Sequence, residues 1–267
     1  MPETHEKTSK FRTLVGDSEA SLDRLALTVA SHAVPDTDIE FEIERLDDLA
    51  ADYLDSFTKH SHESLSRYLF ADRYVGDNET YYDPANSMLH QVLDRGVGLP
   101  ITLSILAIEV GRRCGLPFVG VGMPSHFLIR HATDATRFFD PFWGGIELTG
   151  ADCRDRLEES IPSIEWNPSL LAPVSPLQIV ERMLANLALC YSNPYSPTDL
   201  TWVLELRAAL PGASPGVRRR LADALVGSGR FDDAADLFDE LDSNARSGDQ
   251  SAGEYAAAAT RLRARLN

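Results

Sequence analysis

The sequence predicts an α+β fold, in which a mixed α/β domain is followed by an all-helical segment. Three observations lead to this prediction. An almost wholly apolar helix pattern at residues 101–114 is followed by aromatic and branched segments typical of strands at 118–142. Prolines then cluster between residues 160 and 176, which marks a linker or a subdomain boundary. We therefore expect a first domain over residues 1–160 and a helical segment over residues 176–267 that docks on it.

The N-terminal part is predicted to be helical after a short lead-in at residues 1–18. Apolar residues recur at helical spacing from about residue 19 to residue 31, again over 39–57, and over about 63–71. The stretch 36–55 holds nine carboxylates against the single Arg45. We interpret this charge as the solvated outer face of an amphipathic helix.

The central part is predicted to alternate between helices and strands. A short helix over 87–93 precedes the buried helix over 101–114, which Gly115 ends. Strands are predicted at 118–123, 126–131 and 137–142, the last two as a hairpin, followed by a short strand and a helix at 151–159.

Every periodic segment after residue 176 has helical spacing. The predicted helices are 177–191, 196–210, 216–226, 231–242 and 253–266. The stretch 225–234 resembles the turn of a tetratricopeptide hairpin, in which small residues allow two helices to pack closely. Because one such hairpin is fewer than the three repeats that an independent solenoid needs, we expect the segment to rest on the first domain.

Composition limits the classes of partner and compartment. The net charge of −16 argues against nucleic acid and anionic membranes, since both require a basic face. The first residues lack the apolar core of a signal peptide, and no window is long and apolar enough for a membrane span. Cys114, Cys153 and Cys190 are an odd, scattered set, which indicates reduced thiols and a cytoplasmic protein. No HxxxH or HxH array occurs, so neither a metal nor another cofactor is expected.

Candidate catalytic residues follow the apolar helix. His126 and Asp140 lie in neighbouring predicted strands and have equal parity, so one in-register hairpin would place both side chains on the same face. Enzymes with a thiol nucleophile place a Cys at the start of a helix that faces a His and an Asp. The helix dipole there favours the thiolate form of the Cys. The His would transfer protons, and the Asp would orient its ring.

The sequence resembles the SirB-type family, which has a transglutaminase-like domain and a tetratricopeptide-like tail. The resemblance rests on six runs of sequence. They are GDNETYYDPANS at 76–87, GLPITLS at 98–104, GMPSHF at 122–127, DPFWGG at 140–145, RMLANL at 182–187 and LP at 210–211. It covers nearly the whole chain from about residue 19, and it implies a papain-like α/β core with an all-helical tail.

The chain departs from active transglutaminases at the position of the nucleophile. Those enzymes place a Cys at the start of the helix that leads to the glycine turn, and here that position falls at about Pro100. Proline is favoured in a first helical turn, because its missing N–H costs nothing there. Cys114 lies at the far end of the same helix, roughly 20 Å away at about 1.5 Å per residue.

Two functions remain open on the sequence alone. The first is a non-catalytic binding or scaffold protein, whose cleft around His126 and Asp140 takes an unidentified protein, peptide or small ligand. Candidate ligand-binding residues are Asn86, Asp83 and Trp143. These three residues could instead have structural roles. Asn86 and Asp83 would then build a turn and a helix cap, and Trp143 would pack in the hydrophobic core.

The second function is a hydrolase or acyltransferase that uses a hydroxyl nucleophile. Thr102 and Ser104 are the hydroxyls near the helix start, and either would need His126 and Asp140 as its base and orienting acid. Alternatively both hydroxyls bond locally within the helix. In either function we expect the His126 ring within hydrogen-bonding or one-water distance of Asp140. That carboxylate should raise the pKa of His126 unless burial outweighs it.

Overall fold

The computed structural model describes residues 2–192, 196–245 and 253–265. Contacts divide the chain into two compact units, one formed by Glu19–Met183 and the other by Met1–Ser18 together with Leu184–Asn267. Within the described ranges, no helix is both long and apolar enough to cross a membrane. The fold is α+β, as predicted.

Helices make up most of the described chain. They are α1 (Pro2–Val15), α2 (Leu22–Ala33), α3 (Ile39–Ser56), α4 (His62–Phe70), α5 (Leu89–Arg95), α6 (Pro100–Arg113), α7 (Gly150–Ser160), α8 (Pro176–Cys190), α9 (Pro197–Ala209), α10 (Pro215–Gly227), α11 (Phe231–Asn244) and α12 (Glu254–Arg263). Short 3-10 helices lie at Pro84–Ser87, Pro141–Trp143 and Pro168–Leu171.

The strands are short. They are β1 (Val75–Gly76), β2 (Val97–Gly98), β3 (Phe118–Val121), β4 (Leu128–His131), β5 (Arg137–Asp140) and β6 (Ile146–Thr149). β1 and β2 form a parallel pair, and the other four form an antiparallel sheet in the order β3-β4-β5-β6.

Local sequence explains where α3 and α4 begin. The Asp38 side chain accepts a hydrogen bond from the Phe41 N–H at 3.2 Å and so caps α3. α4 begins with a capping box, in which Ser61 and Ser64 bond each other's backbone N–H groups. These polar caps satisfy N–H groups that the helices leave free, which fixes both helix starts.

Residues 1–18, for which the sequence predicted only a short lead-in, contain the helix α1. Its sequence is mostly polar, and Phe11 and Val15 are its buried apolar side chains. α1 contacts α9 within its own unit. The helix therefore depends on tertiary packing that an apolar pattern this sparse does not reveal.

The sheet corrects the predicted strand bounds at the candidate site. β4 pairs with β5 through Ile129 opposite Phe139 and Arg130 opposite Phe138. β4 begins at Leu128, so His126 lies in the loop before the strand and the parity argument does not apply to it. β5 ends at Asp140, where Pro141 begins a 3-10 helix instead of continuing the strand.

The proline-rich stretch before α8 packs onto the rest of the Glu19–Met183 unit, which we call the α+β unit. One core cluster consists of Val121, Met123, Leu128, Phe138, Leu148, Cys153 and Leu157. Ile164 and Trp166 cover this cluster, and Pro173 forms an isolated bridge with Val121 of β3. The stretch is a wrapped segment of the Glu19–Met183 unit.

Candidate functional site

The start of α6 is the first element of the site. Pro100 is the first residue of the helix, after the extended Leu99, which makes no side-chain cap. The Leu99 N–H donates to the Asn86 carbonyl at 3.1 Å, which anchors the approach to the helix. A proline here lacks only an N–H that the helix would not use. The residue at the expected nucleophile position therefore starts the helix without offering any reactive group.

Pro100 opens onto a pocket of about 190 Å³ that also contains the predicted His and Asp. We call it the aromatic pocket. Its lining residues are Tyr81, Pro100, Ser125, His126, Phe127, Asp140, Phe142 and Trp143. Three predicted site residues, His126, Asp140 and Trp143, thus meet the helix start in one place.

His126 is held by its loop and by α7. Its Nε2 lies 3.0 Å from the Ser160 hydroxyl at the end of α7. The preceding Ser125 has φ of 62°, in the left-handed region that non-glycine residues seldom adopt. Burial lowers the pKa of His126, and the charge of Asp140 opposes that shift without reversing it. The ring is therefore neutral at pH 7, because burial outweighs the nearby carboxylate, which is the exception that the sequence prediction allowed.

Asp140 ends β5 and caps the turn that follows. Its Oδ1 accepts hydrogen bonds from the N–H groups of Phe142 at 3.1 Å and Trp143 at 3.3 Å. Its Oδ2 accepts from Arg156, and the carboxylate is almost fully buried. Burial raises the pKa of Asp140, and the charge of Arg156 works against it. Asp140 is thus half of a buried ion pair.

No direct hydrogen bond joins the described His126 and Asp140 side chains, and the predicted one-water distance stays a prediction. Among the described residues, the His126 ring bonds Ser160, and the Asp140 side chain bonds Arg156 and the following turn. The two residues share the pocket and interact electrostatically. Arg156, which the sequence argument did not consider, supplies the counter-charge of Asp140.

The two candidate hydroxyl nucleophiles lie inside α6. The Thr102 and Ser104 side chains have 0% exposure. Ser104 donates its hydroxyl to the Pro100 carbonyl at 2.7 Å, and the Thr102 hydroxyl has no partner in the described structure. Neither lines the aromatic pocket. The local bonding expected as the alternative is present for Ser104.

An aromatic cluster forms one side of the pocket. The Phe142 ring lies 6.1 Å from Tyr81 and 5.6 Å from Trp143, at steep angles of 71° and 87°. Tyr82 stands against Tyr81 at 5.3 Å and is 68% exposed, while Trp143 is 50% exposed. Trp143 therefore lines the pocket and does not fill core.

Asn86 and Asp83 support the loop that carries Tyr81. Asn86 is fully buried, and its amide donates to Asp77 at 2.9 Å and to the Thr80 carbonyl at 2.8 Å. Asp83 accepts from the Ala85 N–H at 2.9 Å and caps the 3-10 helix. Hydrogen bonds lower the pKa of Asp77 to about 2, so the loop is held by a charged carboxylate. Neither Asn86 nor Asp83 lines the aromatic pocket.

Arg182 is a further residue of the site that sequence reasoning missed. Its guanidinium donates to the Met123 carbonyl at 3.1 and 3.2 Å and to the His126 carbonyl at 3.1 Å. It also lies 5.5 Å from the centre of the Phe127 ring. These contacts hold both ends of the turn that contains Ser125. The RMLANL run was noted for resemblance alone, and nothing local signals that its arginine binds carbonyls.

The two cysteines of the Glu19–Met183 unit, Cys114 and Cys153, lie away from the helix start. Cys114 caps the far end of α6, and Cys153 is fully buried in the core cluster. Burial raises the pKa of Cys114 and raises that of Cys153 to about 12, which keeps both thiols protonated at neutral pH. None of the three cysteines forms a disulfide within the described structure. In the part of the chain that the structure describes, no three His, Cys, Asp or Glu side chains are grouped to hold a metal ion.

Comparison with known proteins agrees with the fold. Residues 17–185 match the family model described as the transglutaminase-like superfamily, and the chain belongs to that superfamily. UPF0162 proteins match most of the chain, which confirms the SirB-type resemblance. The UPF0162 protein of Xylella fastidiosa strain 9a5c is 34% identical over 194 residues, which is 67% of this chain and 68% of the relative.

Two further relatives differ in how much they share. A UPF0162 protein of Pseudomonas aeruginosa is 30% identical over 214 residues, covering 75% of this chain and 78% of the relative. Mouse F-box only protein 21 is 31% identical over 124 residues, which is 43% of this chain and 19% of that protein. The F-box protein is thus similar over less than half of this chain.

Proposed function

We propose that this chain is a non-catalytic binding protein, whose aromatic pocket takes a peptide side chain or a small ligand. The observation that carries the proposal is Pro100 at the start of α6, in the pocket that also contains His126 and Asp140. Acyl transfer through a thioester needs a thiolate at that position, and proline supplies none. The fold keeps the pocket and its polar residues without the nucleophile.

The hydroxyl alternative has less support. Thr102 and Ser104 are fully buried in α6, and a nucleophile must reach both its base and its substrate. The Ser104 hydroxyl donates its hydrogen bond to the Pro100 carbonyl and not to a histidine. Ser160 does contact His126, but it lies at the carboxyl end of α7, where the helix dipole disfavours an alkoxide. We assign Ser160 to holding the ring of His126.

The pocket offers chemistry suited to binding. Tyr81, Phe142 and Trp143 supply apolar ring surface, and aromatic surfaces of this kind bind side chains through burial and ring contacts. The neutral His126 provides one hydrogen-bond donor or acceptor. Because Asp140 is already paired with Arg156, the buried charge of the pocket is balanced before any ligand enters.

The test uses the tryptophan side chains as reporters. The chain has three tryptophans, and a two-dimensional ¹H–¹⁵N spectrum resolves their indole N–H signals. A panel of N-acetylated dipeptide amides is added to the full chain. Members that bind should move the Trp143 signal, and His126→Ala should weaken their binding by about 10-fold, as expected for a residue central to a pocket. His60→Ala, the same change at an exposed histidine of the same unit, is the matched control.

Hydrolysis of p-nitrophenyl acetate is measured on the same samples. Turnover that disappears in His126→Ala and also in Thr102→Val or Ser104→Ala would support the hydrolase alternative. A panel that leaves the Trp143 signal unmoved, with no turnover, would refute binding at the aromatic pocket.

A further inference from the structure

Charge is unevenly distributed among the last three helices of the chain. The chain as a whole has 41 carboxylates against 25 lysines and arginines. α10 reverses this balance with Arg218, Arg219 and Arg220 against Asp223. α12 likewise carries Arg261 and Arg263 against Glu254. α11, which contacts both, carries only acidic charge. α10 and α12 are thus net basic helices in a strongly acidic protein.

A pocket of about 450 Å³ lies between the two basic helices. We call it the arginine pocket. Its lining residues are Arg219, Gly253, Glu254, Ala257, Ala258 and Arg261. Arg219 comes from α10, and the others come from α12 and the residue before it. Small side chains between two arginines leave room for an incoming chain to approach both guanidinium groups.

Arg219 is held in place by its neighbours. Its guanidinium lies 5.4 Å from the centre of the Phe238 ring and 5.6 Å from that of Tyr255, and these two rings stack at 6.1 Å. Its Nε donates to the Asp223 carboxylate at 3.1 and 3.2 Å. Its two Nη groups donate to no protein acceptor among the described residues. Arg219 is therefore ordered and still has donors available.

Arg261 and Arg263 differ in their partners. Arg263 is paired with Asp236 and Asp239 of α11, both at 2.7 Å. Arg261 is exposed, and no carboxylate lies within ion-pair distance of it in the described ranges. Arg261, which lines the pocket, therefore has no carboxylate partner among the described residues, whereas Arg263 has two.

We infer that the arginine pocket binds a carboxylate side chain of an acidic peptide segment on a partner protein. A guanidinium group matches a carboxylate through two parallel N–H···O bonds, and Arg219 and Arg261 present two such groups to one cavity. Nucleic acid fits less well, because its binding requires many neutralised phosphates and this pocket offers two guanidinium groups. This site is separate from the aromatic pocket and does not depend on the proposed function.

The experiment titrates the full chain into a fluorescein-labelled peptide of alternating Glu and Ala, with anisotropy as the readout. The probe for comparison is the same peptide with Gln in place of Glu. Arg261→Glu should weaken binding of the Glu peptide by about 10-fold, the loss of one charge-assisted contact. Arg220→Glu makes the same charge change on α10 outside the pocket and should weaken it by less than about 3-fold, since exposed charges are screened. His126→Ala should leave it unchanged.

Three results would overturn the inference. The first is equal affinity for the Glu and Gln peptides, or no binding of either. The second is an equal loss with Arg220→Glu and Arg261→Glu, which would indicate general charge attraction. The third is tighter binding of a single-stranded oligonucleotide of the same charge than of the Glu peptide. Circular dichroism of each variant verifies that the fold is retained.

Discussion

The aromatic pocket and the arginine pocket are built in opposite ways. In the aromatic pocket the charged residue is buried and already paired, Asp140 with Arg156, and the walls are fixed by hydrogen bonds and ring packing. In the arginine pocket the charged residues are exposed, and small side chains separate them. We therefore expect shape to govern recognition in the first pocket and charge to govern it in the second. Salt should weaken binding at the arginine pocket far more.

The largest difference should appear at a glycine near each pocket. A Cβ on Gly76 would lie 2.5 Å from the carbonyl oxygen of Phe142, whose ring lines the aromatic pocket. A Cβ on Gly253, in the arginine pocket, meets nothing within 4 Å. We expect Gly76→Ala to reduce the free energy of unfolding by about 3 kcal/mol through overpacking. Gly253→Ala should cost only about 1 kcal/mol, the strain of its positive φ.

Chemical denaturation followed by tryptophan fluorescence measures both changes. Equal losses of unfolding free energy in the two variants would mean that Phe142 can move to accept the added Cβ. The aromatic pocket would then be no more rigid than the arginine pocket.

Removing one arginine from each pocket gives the next largest contrast. Arg156→Met leaves the buried Asp140 without its counter-charge, and we expect a loss of about 2 kcal/mol at pH 7. The loss should shrink toward pH 4, because an unpaired buried carboxyl relieves the penalty by taking a proton. Arg261→Met should change stability by less than about 0.5 kcal/mol, since that side chain is exposed. A pH-independent loss in Arg156→Met would argue against a charged Asp140.

Acid should affect the α+β unit through its histidines. Burial lowers the pKa of His62, His90 and His126 below the ordinary histidine value. The folded state then binds fewer protons than the unfolded state as pH falls below that value. Stability is therefore full above about pH 6.5 and declines toward pH 5.

Both ring nitrogens of His90 are buried without a partner, so His90→Leu should flatten the decline. Denaturation midpoints at pH 7.5 and pH 5 measure this effect. An unchanged pH slope in His90→Leu would contradict its assignment as a buried neutral ring.

The smallest expected effect concerns the two buried hydroxyls of α6. Thr102→Val removes a hydroxyl that has no partner, so it should leave stability unchanged or raise it by up to about 1 kcal/mol. Ser104→Ala loses the bond to the Pro100 carbonyl and should cost about 0.5–1 kcal/mol. Thermal unfolding of both variants tests these signs. A clear loss in Thr102→Val would show that its hydroxyl does have a partner.

Sequence reasoning succeeded where local chemistry decides the structure. The spacing of apolar residues predicted α3 and α6, and α6 begins at Pro100, one residue before the predicted start. It failed at His126, since the turn at Pro124 and Ser125 delays β4 until Leu128. The aromatic and branched content of the stretch gave no sign of that delay.

Sequence reasoning did not predict the hydrogen-bond partners of the site residues. Arg156 and Ser160 lie on α7, well after Asp140 and His126 in the chain, and they meet them only once α7 packs on the sheet. Arg182 reaches the His126 loop from α8. Such pairings depend on tertiary geometry, which periodicity does not encode.

The central claim is that Pro100 occupies the position of a lost nucleophile, and alkylation by iodoacetamide tests it most directly. Intact-mass spectrometry at neutral pH follows the native chain and Pro100→Cys side by side. We predict slow modification of the native cysteines, with Cys153 unreacted because burial raises its pKa to about 12. Pro100→Cys should gain one thiol that reacts rapidly, since the α6 dipole favours its thiolate. A rapidly reacting cysteine in the native chain, or an unreactive introduced thiol, would contradict the account.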